Sequence, residues 1–193
     1  MQKLCFAVVV MVVLFSSCSK KYAIDPLPGD TTPPSFSYPF LSFASTHLFV
    51  PFGGTLANSQ TNKGYEVTLS DTTQQVLSAS YGVVGAVSTN PDGTYAVAVK
   101  FKSNSIYTML YSGLGTALVQ TNDNVSPGTI LGKMGGTGTI DFYVIKNNTE
   151  VVCPQNFGSV GFNNAIQQAI DKHNQFHPTD SVLTPCLVSI LPN

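Results

Sequence analysis

The sequence predicts a mainly β protein: a barrel-sandwich domain followed by one α-helix near the C-terminus. Short alternations of apolar and polar residues recur from about Leu41 to Ile145, which is the period of strands with one buried face. Turn-forming residues such as Asn90-Pro91-Asp92-Gly93 separate these alternations. Residues 161–176 instead carry their apolar side chains at helical spacing.

The predicted strands follow one another at short intervals. Residues 65–69 and 94–102 alternate most clearly, and the Ser103-Asn104 turn joins the second of these to the next strand as a hairpin. So many closely spaced strands do not suit one open sheet, and they favour a barrel-like sandwich. The predicted strands are 65–69, 76–87, 94–102, 106–111, 117–120, 129–134 and 139–145.

The C-terminal region, residues 151–193, is predicted to be a helical cap. Its helix should end at Pro178, which cannot continue a helix. Cys153 precedes the helix and Cys186 follows it, and an even pair of cysteines in an exported protein predicts one disulfide. The alternative is a pair of free, buried thiols. A disulfide would pin the cap to the β domain.

Composition and charge exclude one class of partner. Only 10% of the residues are charged, the net charge is −1, and all nine basic residues are Lys. Without a basic surplus there is no electrostatic basis for binding nucleic acid. Apolar residues make up 43% of the chain, which argues against wholesale disorder. Low charge with many Ser and Thr residues is typical of an exported β-rich domain.

The N-terminus predicts export and a lipid anchor. Twelve consecutive apolar residues, 4–15, follow a short basic start; a spanning helix needs about 20, so the run suits a signal-peptide core. The following Ser-Ser-Cys resembles the lipobox of bacterial lipoproteins. That resemblance implies a signal peptide at 1–17, cleavage before Cys18, and a lipid anchor on Cys18. The alternative is an ordinary secretory signal.

Residues 18–40 are predicted to be a Pro-rich tether between the lipid and the domain, because such stretches favour extended geometry. Ser19-Lys20-Lys21 directly after the anchor contains no acidic cluster that would mark surface export. We therefore expect a protein of the bacterial cell envelope that is anchored in the outer membrane and faces the periplasm.

Residues 62–145, within a predicted domain at 41–150, resemble the lysostaphin/LytM-type zinc metallopeptidases, which cut peptidoglycan cross-links. Residues 76–84 resemble the family's strand ending in Gly-x-Val, and 93–111 resemble its central hairpin. Residues 125–135 resemble its Val-x-x-Gly-x-x-Ile-Gly-x-x-Gly element, and 140–144 fall where its final His-x-His-Phe strand belongs. The order and spacing of these four segments agree with the family.

The catalytic positions of the family do not match. The family has a His followed by a Gly two residues later and an Asp four residues later. In this sequence these positions hold Asn62, Gly64 and Glu66. Its Tyr-x-His-Leu segment has Gly113 in place of His, and its final His pair is Thr139 and Asp141. A catalytic zinc needs three firm protein ligands and an open position for water. The resemblance therefore implies the scaffold and the location, and it does not imply hydrolysis.

The sequence and the family resemblance thus predict a non-catalytic envelope lipoprotein. It would bind peptidoglycan or a cell-wall hydrolase partner through the groove that members of the family use for cleavage. No catalytic residue, metal or cofactor is assigned. The alternatives are an active zinc endopeptidase with displaced ligands and an envelope assembly or adhesion module. The candidate groove residues are Asn62, Lys63, Glu66, Tyr111, Gly113, Thr139 and Asp141.

Two metal hypotheses are weaker. Asn62, Glu66 and Asp141 could offer an all-oxygen set to Ca²⁺ or Mg²⁺, but three side chains are too few for Ca²⁺, and ordinary polar residues are the simpler interpretation. His173 and His177, four residues apart, could share a metal on one helical face. Their place near the end of a helix is the simpler account, and His47 is expected to be structural or exposed.

Overall fold

The computed structural model describes residues 29–193. The predicted signal peptide and Cys18 lie outside the described residues. Within residues 29–193 there are eleven strands, one α-helix and two short 3₁₀-helices at Phe43–Ser45 and Pro154–Phe157. The strands are β1 (Thr46–Val50), β2 (Tyr65–Leu69), β3 (Gln75–Leu77), β4 (Gly82–Thr89), β5 (Tyr95–Lys100), β6 (Tyr107–Ala117), β7 (Asn124–Val125), β8 (Ile130–Met134), β9 (Thr139–Lys146), β10 (Glu150–Val152) and β11 (Ile190–Pro192), and the helix is α1 (Val160–Phe176).

All eleven strands belong to one antiparallel sheet. Its main path runs β1-β2-β9-β6-β5-β4-β7, with β8 and β3 continuing from β6, and β10 and β11 continuing from β9. The path ends at β1 on one side and at β7 on the other, so the sheet is open. The predicted mainly β architecture with a C-terminal helix is confirmed. The expectation that so many strands would not suit one open sheet is wrong, because β3 and β8 branch from β6 and β10 and β11 branch from β9 without closing the sheet.

One face of the sheet packs on α1 through a cluster of aromatic side chains. Phe142 of β9 stacks on Phe40 with ring centroids 4.7 Å apart, and Phe36 lies 5.1 Å from Phe162 of α1. All four rings are fully buried. Since burying one such side chain contributes roughly 1.5–3 kcal/mol, this cluster fixes which face of β9 is inside. The other face of β9 is left for the groove described below.

Part of the predicted tether is packed against the domain. Phe36 and Phe40 fall inside the predicted segment 18–40, yet both are core residues. The backbone N–H of Phe36 donates to the carbonyl of Phe157 at 2.8 Å, which ties this segment to the start of the cap. The Pro-rich composition did not predict that Phe36 and Phe40 are buried. Such a composition indicates an extended chain, but it does not show which surface the chain packs against.

The cap forms as the sequence predicts, with one addition. Ser159 caps α1 by accepting from the N–H of Phe162 at 3.2 Å, and the helix ends just before Pro178. The Cys153–Cys186 disulfide is present. The addition is the short β10–β11 pairing, which joins the C-terminal residues to the sheet. Among the residues that the structure describes, no helix is both long enough and apolar enough to cross a membrane.

Two strand boundaries differ from the prediction. The predicted strand 76–87 divides into β3 and β4, because residues 78–80 form a buried bend in which the Ser78 hydroxyl donates to the carbonyl of Ser80 at 2.7 Å. The predicted strands 106–111 and 117–120 are largely replaced by one long strand, β6, which ends at Ala117.

Candidate functional site

The outer face of β9 forms the floor of an open groove. Along this strand Ile140, Phe142 and Val144 are fully buried, whereas the alternate residues Asp141 and Tyr143 are only half-buried and point to the opposite face. This alternation follows from the pleat of a strand. Because the aromatic core occupies the inner face, the polar row is left open to ligands.

The groove consists of two cavities that share Ser112. The larger, about 650 Å³, lies between residues 56–63 and strands β6 and β9, and Lys63 and Tyr143 contribute to its lining. The smaller, about 250 Å³, lies beside the β4–β5 turn and is lined by Asp141 among others. Ser112 lines both cavities and is the register partner of Asp141 on the neighbouring strand. The two cavities therefore adjoin at Ser112.

Two carboxyl groups face each other at the acidic end of the groove. Glu66 of β2 is the register partner of Asp141 of β9, and directly opposed residues of paired strands lie on the same face. Burial, with the charge of Glu66 added, raises the pKa of Asp141 from its usual value of 3.8 to about 7. Burial also raises the pKa of Glu66. The pair can thus hold a proton near neutral pH.

Polar side chains surround this pair. The amide of Asn90 donates to the hydroxyl of Ser112 at 3.0 Å and to that of Thr94 at 2.9 Å. The hydroxyls of Thr68 and Thr139 lie 2.9 Å apart. These contacts fix the hydroxyl groups on either side of Asp141, so the acidic end is lined by oriented polar atoms.

The other end of the groove is apolar with a positive rim. Leu56, Leu110 and Ile145 line it together with the ring of Tyr143, and the Lys63 side chain is exposed at its edge. Burial and the nearby charge of Asp141 raise the pKa of Tyr143, so its hydroxyl stays protonated at neutral pH. The groove therefore runs from carboxyl groups at one end to an ammonium group at the other.

Gly113 occupies a backbone position that excludes a side chain. Its φ is +92°, and a Cβ atom built there would lie 2.3 Å from the carbonyl oxygen of Thr139. Only glycine adopts this conformation readily. The family resemblance places a His at this position, and here the backbone has no room for one.

Asn62 and Tyr111 lie in the interior and not in the groove. The Asn62 amide nitrogen donates to the carbonyl of Val50 at 2.8 Å, its oxygen accepts from the N–H of Gly64 at 3.1 Å, and the residue is fully buried. The Tyr111 hydroxyl accepts from the N–H of Ala79 at 2.9 Å in the core, and burial raises its pKa to about 12. Both side chains stabilise the fold.

The remaining candidates are brought together. Lys63, Gly113, Thr139 and Asp141 line the two cavities, and Glu66 lies beside Asp141. Sequence reasoning missed several residues of the site, among them Tyr143, Ser112 and Asn90. The alternation of β9 could have identified Tyr143, whereas Asn90 comes from a distant turn and carries no local indication of its role.

The residues at the family's zinc positions do not fit zinc. The resemblance places the three ligand positions at Asn62, Glu66 and Asp141. Only the carboxyl groups of Glu66 and Asp141 are free to bind a metal, since the amide of Asn62 is bonded to the backbone at both its nitrogen and its oxygen. A zinc site in proteins takes its ligands from thiolates, imidazoles and carboxylates, usually with at least three from the protein. The same placement of Asn62 removes it from the all-oxygen set considered for Ca²⁺ or Mg²⁺.

The three histidines of the sequence gather elsewhere, at the C-terminal end of α1. The rings of His47 and His177 are 5.2 Å apart, and those of His173 and His177 are 4.8 Å apart. His173 accepts from the N–H of Phe49 at 3.3 Å, and its other ring nitrogen lies 2.8 Å from the carbonyl oxygen of Asp180. In residues 29–193 no group of three or more His, Cys, Asp or Glu side chains is arranged to hold a metal ion.

Comparison with protein families identifies the domain. Residues 60–153 match the family model of peptidase family M23. These residues are therefore similar to that family, and the resemblance seen in the sequence is confirmed. No curated protein matches the sequence.

Solved structures with a similar fold come from proteins of low sequence identity. Lysostaphin from Staphylococcus simulans is 17% identical with a TM-score of 0.52, over 69% of this chain and 55% of that chain. A chain of the SpoIIQ–SpoIIIAH pore-forming complex is 16% identical with a TM-score of 0.53, over 69% and 98%. Csd3 from Helicobacter pylori is 18% identical with a TM-score of 0.50, over 75% and 44%. The matched region thus spans about half of the lysostaphin chain, and at these identities the likeness concerns the fold alone.

Proposed function

We propose that the protein is a non-catalytic M23-type domain that binds the peptide part of peptidoglycan through its groove. The observation that carries this proposal is the arrangement of the groove itself. It lies on the open face of an M23-type sheet, and carboxyl groups, hydroxyl groups and a glycine stand where the family resemblance places zinc ligands and catalytic histidines. Binding is therefore favoured over hydrolysis.

The charges of the groove specify the chemistry of the bound peptide. Glu66 and Asp141 form an acidic end that suits the ammonium group of a diamino acid side chain, and Lys63 at the opposite rim suits a carboxylate. Charge-assisted hydrogen bonds are shorter and stronger than neutral ones. The apolar floor near Leu110 and Ile145 suits the small aliphatic side chains between these charges. A peptide with a free amine and a free carboxylate matches this pattern.

A cell-wall hydrolase partner is the second candidate occupant of the groove. The fold likeness to a chain of the SpoIIQ–SpoIIIAH pore-forming complex supports it, because that fold is present there in an assembly of two proteins. Sedimentation with purified sacculi, run with and without a hydrolase, separates the two candidates.

The envelope location is part of the proposal. A lipidated Cys18 would hold the domain at the membrane, since each buried CH₂ of an acyl chain contributes about 0.8 kcal/mol. Metabolic labelling with a radioactive fatty acid tests this directly. We expect label in the wild-type chain and none in Cys18→Ala; label that persists in this variant would contradict the lipid anchor.

Sedimentation with purified sacculi tests the binding function. We expect the wild-type protein to sediment, and the double variant Glu66→Gln and Asp141→Asn to bind at least tenfold more weakly, because a hydrogen bond to a charged group contributes roughly 1.5–3 kcal/mol. Asp171→Asn is the matched control, since Asp171 is exposed on α1, where it accepts from the side chain of Gln167. Wild-type protein that stays in solution with and without a hydrolase would refute the proposal, as would release of muropeptides.

A further inference from the structure

The C-terminal strap, residues 178–193, connects the end of α1 to the rim of the groove. It passes Cys186, pairs with β10 through β11, and ends at Asn193, which lines the larger cavity together with Val151. The Asn193 N–H donates to the carbonyl of Thr149 at 2.9 Å, and its side-chain amide donates to that of Asn148 at 3.0 Å. The position of the strap therefore defines one wall of the groove.

Few side chains of the strap are buried. Leu183, Leu187, Val188 and Ile190 are 88%, 57%, 42% and 55% exposed, so apolar burial at these four positions contributes little to holding the strap in place. Val182 and Leu191 are partly buried against the core. Backbone hydrogen bonds with Phe52 and between Cys153 and Ser189 attach its centre. The Cys153–Cys186 disulfide adds a covalent tie, which closes the loop that contains α1. A tie of this kind acts by restricting the freedom of the released chain.

The two cysteine residues differ in exposure. Cys153 is 2% exposed, whereas Cys186 is half-buried, with the Tyr65 hydroxyl 3.6 Å from its Sγ. Cys186 is therefore the side from which a dithiol reductant would attack. Attack of its thiolate on Cys186 Sγ forms a mixed disulfide and releases Cys153 as a thiolate, and the second thiol of the reductant then displaces Cys186. The reductant leaves as a disulfide, and its two thiol protons end on the two cysteines.

We propose that the Cys153–Cys186 disulfide is a redox lock on the groove. In the oxidised protein the strap is held against β10, and Asn193 and Val151 complete the wall of the larger cavity. After reduction by a dithiol, the strap leaves β10 and the groove binds its peptide more weakly. The effect on affinity rests on the proposed function, whereas release of the strap does not.

Hydrogen exchange of the full-length chain, with and without dithiothreitol, tests the release of the strap. We expect the amides of residues 186–193 to lose at least tenfold in protection after reduction, while those of β2, β6 and β9 keep theirs. The double variant Cys153→Ser and Cys186→Ser should behave like the reduced protein and should not respond to dithiothreitol. Unchanged protection of β11 after reduction would overturn the proposal, as would loss of protection throughout the sheet.

Sacculus sedimentation of the same samples tests the consequence for the groove. We expect reduction to weaken binding at least fivefold in the wild-type chain and to leave the double variant unchanged. Equal binding by oxidised and reduced protein, with the strap released, would overturn the lock. Strap release in a protein that never binds sacculi refutes the proposed function and supports the release step alone.

Discussion

Glu66 and Asp141 lie directly opposite each other on adjacent antiparallel strands, and the negative charge of Glu66 favours the protonated form of Asp141. Burial and the charge of Glu66 raise the pKa of Asp141 to about 7. The two strands hold the pair in place through buried neighbours on their inner face, Val67 and Ile140 among them. The groove therefore gains negative charge as the pH rises through neutrality.

The first prediction concerns stability and pH. The raised pKa means that the folded state keeps a proton on Asp141 that the unfolded state loses near pH 4, so this contribution to stability is complete below pH 3.8 and is lost as pH rises through 7. We expect Asp141→Asn to reduce the loss of stability between pH 5 and pH 8 by about 1–2 kcal/mol, which allows for solvent screening. Urea unfolding at both pH values measures this. An equal pH dependence in the variant would contradict it, and Asp171→Asn should match the wild type.

A second prediction concerns Gly113. A Cβ atom at this position meets the carbonyl of Thr139 at 2.3 Å with the backbone at positive φ, so Gly113→Ala should destabilise the fold by about 2 kcal/mol or more. Gly113→His should be at least as unstable, so placing the imidazole of the family motif at this position should lower the free energy of unfolding. Gly136→Ala is the control, because a Cβ atom there would meet no atom of residues 29–193 within 4 Å. Chemical denaturation compares the three variants, and a stable Gly113→Ala would refute the explanation.

The resemblance to the family predicted part of the site, and local strand patterns predicted the strands that carry it. The family motifs placed Glu66, Thr139 and Asp141 in the predicted groove, and the structure brings these three together. The helical stripe of α1 and the pairing of two cysteines were equally local, and both are present. Patterns of period 2 and 3.6 need no knowledge of the distant chain.

The errors come from irregularities in the backbone. Tyr111 and Gly113 share one face in a regular strand, yet Tyr111 is buried while Ser112 and Gly113 line the groove. The positive φ of Gly113 and the register shift between β5 and β6, which leaves Gly113 without a partner on β5, explain the difference, because one extra residue moves the following side chains to the other face. Asn62 was misplaced for another reason: its partners lie 11 and 12 residues away in a loop whose path no local pattern predicts.

The third prediction concerns Asn62 as a structural clamp. Asn62→Ala removes a buried amide and leaves the carbonyl of Val50 and the N–H of Gly64 without their partner. An unsatisfied buried polar group costs about 1–3 kcal/mol, so we expect a loss of roughly 2–4 kcal/mol in the free energy of unfolding. Asn58→Ala, in the exposed part of the same loop, should change stability by less than about 0.5 kcal/mol. Equal stability of the two variants would show that Asn62 does not clamp the loop.

The last prediction separates the interior from the groove at Tyr111. Its hydroxyl accepts from the N–H of Ala79, whose carbonyl in turn accepts from the N–H of Ser37. Tyr111→Phe should therefore destabilise the domain by about 1–3 kcal/mol, since a buried N–H loses its acceptor. Sacculus binding by the folded variant should be unchanged, because the ring lies under the sheet. Tyr81→Phe, at an exposed position, is the control for both measurements. Loss of binding with stability intact would instead place Tyr111 in contact with the bound peptide, in agreement with the sequence-based prediction.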